Sequence, residues 1–98
     1  MKYQFHPEAR LEYLAAVAFY EAARPGVGAA FTVEVEAVIS LICQAPNRWR
    51  KFEQDVRRCL TKRRFPYAIL YTIEHDYILI IAVMHCSREP GYWKDRIA

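Results

Sequence analysis

Residues 77–96 read YILIIAVM followed by HCSREPGYWKDR, and this stretch decides the fold class. The first eight residues are aliphatic or aromatic throughout, a pattern typical of a central β-strand that is covered on both faces. The twelve residues that follow carry a dense cluster of hydrogen-bond donors and aromatic rings. The predicted strand therefore ends in a polar rim, which either takes part in function or closes the core.

The residues before this strand predict its partners in a sheet. Residues 67–73 form a second apolar run, and His75 and Asp76 separate the two, which predicts an antiparallel hairpin. Residues 56–62 alternate in the same way but carry several basic side chains, so we expect a strand near an edge. A short first strand is predicted over residues 2–5.

The N-terminal half predicts two helices joined by a tight turn. Pro7 suits the first position of a helix, and the break at residues 24–28 has the length of a connection between antiparallel helices. The stripe expected to be buried on the first helix comprises Leu11, Leu14, Ala15, Ala18 and Ala22. The stripe expected to be buried on the second comprises Phe31, Val35, Val38, Ile39 and Ile42.

The order of these elements separates the helices from most of the strands, which is typical of an α+β domain. We expect a helical hairpin packed on one face of a mostly antiparallel four- to five-stranded sheet, in the order β-α-α-β-β-β. The opposite face of the sheet is expected to be open to solvent or to a partner. At 98 residues the chain fits one domain, residues 1–98.

Composition excludes several classes of protein. A chain that is 54% hydrophobic and 26% charged is typical of a globular domain and not of a disordered segment. No apolar run reaches the roughly 20 residues of a membrane span, and residues 1–6 lack the apolar part of a signal peptide. Cys43, Cys59 and Cys86 are scattered and odd in number, which favours a reducing compartment. We therefore predict a cytoplasmic protein without a metal site, a cofactor or a membrane contact.

The positive charge is concentrated in one segment. Residues 48–64 carry eight basic and two acidic side chains, a net charge of +6, whereas the whole chain has +3. A localised strip of this kind is typical of a surface that meets a polyanion or an acidic partner. A solvated edge strand that is protected by charge remains the alternative interpretation.

The basic strip and the polar rim together suggest phosphodiester chemistry. If the predicted strands pair in sequence, Arg57 or Arg58 approaches the level of His85 and Arg88. Guanidinium groups clamp phosphate and stabilise its transition-state charge, and a histidine or a tyrosine transfers protons. Each residue also has a structural interpretation: His85 as a hydrogen-bonding residue of the core, and the rings that follow it as a cap on the core.

The whole pattern resembles the RelE/ParE superfamily of type II toxin–antitoxin systems, of the plasmid-stabilisation type. The resemblance covers nearly the full chain. It rests on HPEA at 6–9, YE at 20–21, PGVG at 25–28, RRCL at 57–60, RFPY at 64–67, AVMHCSR at 82–88 and PGYW at 90–93.

The resemblance implies a toxin that a cognate antitoxin neutralises in a hetero-oligomer. RelE-like members of the superfamily cleave mRNA in the ribosomal A site, and ParE-like members poison DNA gyrase without being nucleases. The sequence is compatible with both targets. The positions that match the nuclease pattern are Arg58, Arg88 and Tyr92, with His85 as a proton carrier. The predicted target-binding residues are Arg57, Lys62, Arg63, Arg64 and Trp93.

Overall fold

The structure, a computed structural model, describes residues 1–62 and 64–97, so that Arg63 and Ala98 lie outside the described residues. Its sheet has the strand order β1-β5-β4-β3-β2, in which β1 is parallel to β5 and the other pairs are antiparallel. The predicted α+β fold is confirmed, with five strands in the sheet. The elements are β1 (Lys2–Phe5), α1 (Pro7–Ala23), α2 (Val27–Gln44), β2 (Lys51–Glu53), β3 (Val56–Leu60), β4 (Tyr67–Ile73), β5 (Tyr77–His85) and a 3₁₀ turn (Lys94–Arg96).

The helical hairpin is held tightly at its turn. Gly26 adopts a φ of 89°, which favours glycine, and Glu21 at the end of α1 accepts hydrogen bonds from Gly26 N–H and Gly28 N–H. A β-carbon at Gly28 would lie 2.7 Å from the carbonyl oxygen of Val17. The glycine at position 28 therefore lets the two helices approach closely at the turn.

The two helices differ in how well their buried faces follow the apolar pattern. All five predicted residues of α2 are buried, but on α1 Leu11 and Leu14 are 57% and 50% exposed. The residues of α1 that pack into the core are Ala9, Tyr13, Ala16, Val17 and Tyr20. The prediction for α1 is wrong because Tyr13 and Tyr20 pack their rings against the core, and the Tyr13 hydroxyl reaches Glu36 at the surface, so these tyrosines contribute more to the core than a polar residue would.

Helix α2 is long and apolar enough to cross a membrane by length and composition alone. In the fold its apolar face packs on the sheet, and its carboxylates bind other elements. Glu36 accepts a hydrogen bond from the Tyr13 hydroxyl at 2.7 Å, and Glu34 accepts one from Lys62 N–H at 2.9 Å. These contacts make α2 a core helix of the domain.

The sheet carries apolar side chains on both of its faces. Ile69, Tyr71 and Ile80 belong to the core under the helices, whereas Leu70 and Ile81 belong to a second cluster on the other face. Residues 91–97 fold back over that second cluster. The expectation of an open second face is therefore wrong for this part of the sheet, because the central strands need cover on both sides.

A β-bulge in β5 decides where the polar rim points. Tyr71 pairs with Ile80 and Leu70 pairs with Ala82, so Ile81 is an extra residue of β5 that has no partner on β4. One extra residue reverses the alternation of side chains that follow it. His85 consequently emerges on the helix side of the sheet, where its ring lies edge-on to Tyr67 with centroids 5.1 Å apart.

Candidate functional site

Three of the four predicted catalytic residues line one cleft. His85, Arg88 and Tyr92 meet at the end of β5 that extends beyond β1, where α1 passes over the sheet. The cleft has a volume of about 400 Å³ and includes Glu12 and Phe19 of α1 on its wall. The bulge in β5 thus brings His85 to the helix side. The turn at Pro90 and Gly91 places Tyr92 at the part of β5 that β1 does not cover, where its ring packs against the second cluster and its hydroxyl reaches Glu12.

Tyr92 is hydrogen-bonded to a carboxylate on the first helix. Its hydroxyl donates to Glu12 Oε2 at 2.5 Å, and its ring has the guanidinium of Arg88 at 3.8 Å and that of Arg96 at 5.0 Å from the centroid. Burial and the neighbouring Glu12 carboxylate raise the pKa of Tyr92 far above its ordinary value. The phenol therefore stays protonated, and its O–H is engaged in the hydrogen bond to Glu12.

Glu12 is the centre of this network. Its carboxylate accepts from both terminal nitrogens of Arg96, at 2.9 and 3.0 Å, and from Val83 N–H at 3.0 Å. Arg96 also donates to the carbonyl oxygen of Ile81 at 3.0 Å. Together the two side chains form hydrogen bonds with backbone groups of β5 in the part of the strand that does not pair with β1. They also fasten residues 91–97 to α1.

Sequence reasoning missed this pair. The predicted buried stripe of α1 does not include Glu12, and Arg96 is the last residue of the polar rim and has no predicted role. The available signal was an acidic residue between two large apolar ones, Leu11 and Tyr13. Its partner lies 84 positions away, so the pairing depends on the tertiary fold.

His85 is held by the turn that follows β5. Its Nδ1 accepts a hydrogen bond from Ser87 N–H at 3.0 Å and lies 2.7 Å from Ser87 Oγ. This contact places the proton of a neutral His85 ring on Nε2. Nε2 is the nitrogen that remains for proton transfer in the cleft.

Arg58 does not join the other three predicted catalytic residues. It pairs with Leu70, whose side chain lies in the second cluster, and its guanidinium rests over Phe52 at 4.9 Å. His85 pairs with Tyr67 and emerges on the helix side. Arg58 and His85 are thus on opposite faces of the sheet, three residues apart along the strands.

The predicted target-binding residues are also divided. The guanidinium of Arg57 donates to the carbonyl oxygen of Trp49 at 2.6 Å and so fixes the loop before β2. Trp93 is 2% exposed in the second cluster, where its ring offers no free face to a base. Lys62 and Arg64 lie on the surface. Arg63 lies outside the described residues.

The described residues hold no group of three or more histidine, cysteine or acidic side chains that could bind a metal ion. Cys43, Cys59 and Cys86 are free thiols. Burial raises the pKa of the Cys59 thiol, so it is less reactive than an ordinary cysteine.

Comparison with known proteins identifies the family. The model described as "ParE toxin of type II toxin-antitoxin system, parDE" matches residues 3–90. A solved structure described as "Chromosomal ParDE TA system from P. aeruginosa" has a TM-score of 0.75 at 17% identity, over 87% of this chain and 95% of that chain. At 17% identity the similarity shows a shared fold. A search of curated protein sequences found no match to this chain. Because the family match spans most of the sequence, the chain belongs to the ParE toxin family of type II toxin–antitoxin systems.

Proposed function

We propose that this toxin arrests growth by binding a protein target, DNA gyrase, and that it does not cleave mRNA. The observation that carries the proposal is the division of the predicted catalytic set, with Arg58 on one face of the sheet and His85 on the other. Membership of the ParE family favours gyrase as the target, because ParE-like members of the superfamily poison DNA gyrase.

The geometry of Tyr92 supports the same proposal. Cleavage of RNA by its own 2′-hydroxyl needs a base, an acid and a phosphate clamp within hydrogen-bond reach of one phosphate. The Tyr92 hydroxyl donates to Glu12 at 2.5 Å, and Arg88 stacks on the tyrosine ring. Arginine does not supply a proton at neutral pH, so His85 would have to perform both transfers.

A ribosome-dependent endoribonuclease is the second candidate function. The observation in its favour is that His85 and Arg88 line the same cleft, with an imidazole Nε2 left for proton transfer. One histidine and one arginine at a phosphate form the smallest set that still combines a proton carrier with a clamp.

The proposed partner is a cognate antitoxin that holds the toxin inactive in a cytoplasmic hetero-oligomer. An acidic segment of the antitoxin would neutralise the surface cations of residues 48–64. Arg58 and Lys62 are among those whose side chains are exposed. Association through such charges is rapid and depends on salt.

Induction of the toxin alone in growing cells separates the two candidate functions. We expect growth to stop, gyrase-linked DNA breaks to accumulate and mRNA on translating ribosomes to stay intact. The variants Tyr92→Phe and His85→Ala test the chemistry, and Leu41→Ser on the exposed side of α2 is a control for substitution itself. Cleavage of mRNA by the wild-type protein that His85→Ala abolishes, with DNA intact, would establish the nuclease instead.

A further inference from the structure

The outer surface of helix α1 is apolar although it faces solvent. The residues of α1 that pack into the core lie on one side of the helix. At about 100° per residue the opposite side is formed by the stripe that was predicted to be buried, Leu11, Leu14, Ala15, Ala18 and Ala22. All of these residues are exposed in the fold, Leu11 by 57% and Leu14 by 50%. Large exposed apolar side chains that share one helix face indicate a surface that a partner covers.

The outer surface of helix α2 continues this apolar face. Ala29, Val33 and Ala37 repeat every four residues on the side away from the core, and all three are exposed, Val33 by 71%. Glu36 lies next to them, but its carboxylate accepts a hydrogen bond from the Tyr13 hydroxyl at 2.7 Å. We call the outer stripes of α1 and α2 together the hairpin face. Every residue of the hairpin face is uncharged.

This lack of charge narrows the kind of partner. An acidic segment needs cations, and the toxin carries these in residues 48–64, where Arg58 lies on the other face of the sheet. A second copy of the same uncharged face brings no like charges together. Two chains that each have a net charge of +3 can therefore associate here without bringing their basic strips into contact.

Large and small side chains follow each other along α1 in an order that suits a two-fold axis. Leu11 and Leu14 lie in the first half of the outer stripe, and Ala18 and Ala22 lie in the second half. If α1 packs antiparallel on the α1 of a second copy, Leu11 faces Ala22 and Leu14 faces Ala18. Each leucine then lies against an alanine. A parallel arrangement would put leucine against leucine and leave a gap between the alanines.

Helix α2 fits the same axis. The middle of the outer stripe of α1 is at Ala16. The hydrogen bond between Tyr13 and Glu36 joins the two antiparallel helices, so Ala16 and Val33, each three residues nearer to the turn, lie at the same level. An axis that passes Ala16 therefore also passes Val33. The exposed alanines four residues before and after Val33 then face each other across the two copies.

The hairpin face is just large enough for a specific interface. Helices α1 and α2 have 17 and 18 residues. At 1.5 Å per residue each is about 26 Å long, and each is about 10 Å wide. The face therefore measures about 500 Å² per copy and about 1,000 Å² in a dimer, which is the lower limit of a specific protein–protein interface. We accordingly expect a reversible dimer, with a dissociation constant on the order of 10 µM.

We propose that the toxin forms a two-fold symmetric dimer through the hairpin face, with α1 on α1 and α2 on α2 in antiparallel order. Arg58 of each copy stays accessible because it lies on the other face of the sheet. Phe19, at the margin of the hairpin face, is 67% exposed and also lines the cleft with His85 and Arg88. The second copy consequently lies beside the candidate site. The inference does not depend on which target the toxin has.

Sedimentation velocity of the purified toxin over about 1–300 µM tests the proposal. We expect the average mass to rise from that of the 11.5 kDa monomer toward twice that value. Leu11→Lys and Ala22→Glu should each weaken association by about 10-fold or more, because each substitution occurs twice in the dimer. Both positions are exposed, so the fold should persist, which circular dichroism checks. The control is Leu60→Lys on β3, which replaces another exposed leucine and should leave association unchanged.

The double substitution Leu11→Lys/Ala22→Glu tests the antiparallel order. The two positions are separated by about 16 Å along one helix, which is too far for an ion pair within the chain. Across the proposed axis they face each other, so two ion pairs form in the dimer. We expect the double variant to associate about 10-fold more tightly than either single variant at low salt.

Three results would overturn the proposal. The first is a wild-type toxin that stays monomeric over the whole concentration range. The second is a dimer that Leu11→Lys leaves unchanged, because another surface would then form it. The third is a double variant that associates no more tightly than the single variants. Growth arrest is measured separately: a monomeric wild-type toxin whose growth arrest Leu11→Lys abolishes would show that the target covers the hairpin face instead of a second copy.

Discussion

Replacement of Glu12 by alanine is the sharpest perturbation that the structure offers. The substitution removes the acceptor of four hydrogen bonds, from Val83 N–H, the Tyr92 hydroxyl and both terminal nitrogens of Arg96. The side chains of Arg96 and Glu12 are only 10% and 16% exposed. In Glu12→Ala the Arg96 guanidinium would therefore be buried without its carboxylate partner and only poorly hydrated.

The expected cost follows from this burial. Removing one partner of a buried ion pair costs about 3–5 kcal/mol. Domains of this size have a free energy of unfolding of about 5–15 kcal/mol, so Glu12→Ala should remove a large part of it. With a urea dependence of about 1.5 kcal/mol/M, the midpoint of unfolding should fall by about 2–3 M.

The assay is urea unfolding in a Trp49→Phe background, so that the fluorescence reports Trp93 alone, which is 2% exposed and lies in the segment that Glu12 fastens. The control is Asp55→Ala, which breaks the exposed pair with Lys51 and should cost less than about 1 kcal/mol. Hydrogen exchange at the Val83 amide gives a local readout and should become faster in Glu12→Ala. A midpoint equal to that of Asp55→Ala, with Val83 still protected, would refute the role assigned to Glu12.

Three further predictions concern the core and the helical turn. Burial raises the pKa of Tyr67 and of Tyr71 to about 12, so in an ultraviolet titration both side chains should ionise at a higher pH than free tyrosine. The tyrosines of the unfolded chain lose their protons at a lower pH than the buried ones. The stability that the buried tyrosines provide is therefore complete below pH 10 and is lost as pH rises toward 12. Ionisation of both tyrosines near pH 10 would contradict their burial. Gly28→Ala should lower the thermal midpoint of unfolding, because the added β-carbon would lie 2.7 Å from the carbonyl oxygen of Val17. Helix propensity alone predicts that alanine stabilises the protein. A higher midpoint would therefore contradict the close approach of the helices. In a Trp49→Phe protein the remaining Trp93 should emit at short wavelength and resist quenching by iodide; strong quenching would contradict its place in the second cluster.

The elements that could be predicted from sequence are those whose pattern is local. Strands β4 and β5 are continuous apolar runs around two polar residues, and α2 has one apolar face without aromatic hydroxyls. The face of α1 was predicted wrongly because Tyr13 and Tyr20 bury rings that a binary pattern counts as half polar. Local periodicity thus gave the fold class and left the packing of α1 undetermined.

The candidate site depended on features that no local pattern contains. The bulge at Ile81 is a property of the pairing between β4 and β5, and it alone decides that His85 faces the helices. Register likewise puts Arg58 on the other face of the sheet. The grouping of His85, Arg88 and Tyr92 followed from their closeness in sequence, but the Glu12 carboxylate that binds Tyr92 comes from the other end of the chain.

We propose that this toxin acts on a protein and not as a nuclease, and one measurement tests this directly. Purified toxin is added to programmed ribosomes and, separately, to gyrase with supercoiled DNA, and both RNA and DNA products are followed. We expect intact mRNA and inhibited or cleavage-trapped gyrase. Specific cutting of ribosome-bound mRNA, lost in His85→Ala and with gyrase unaffected, would contradict it.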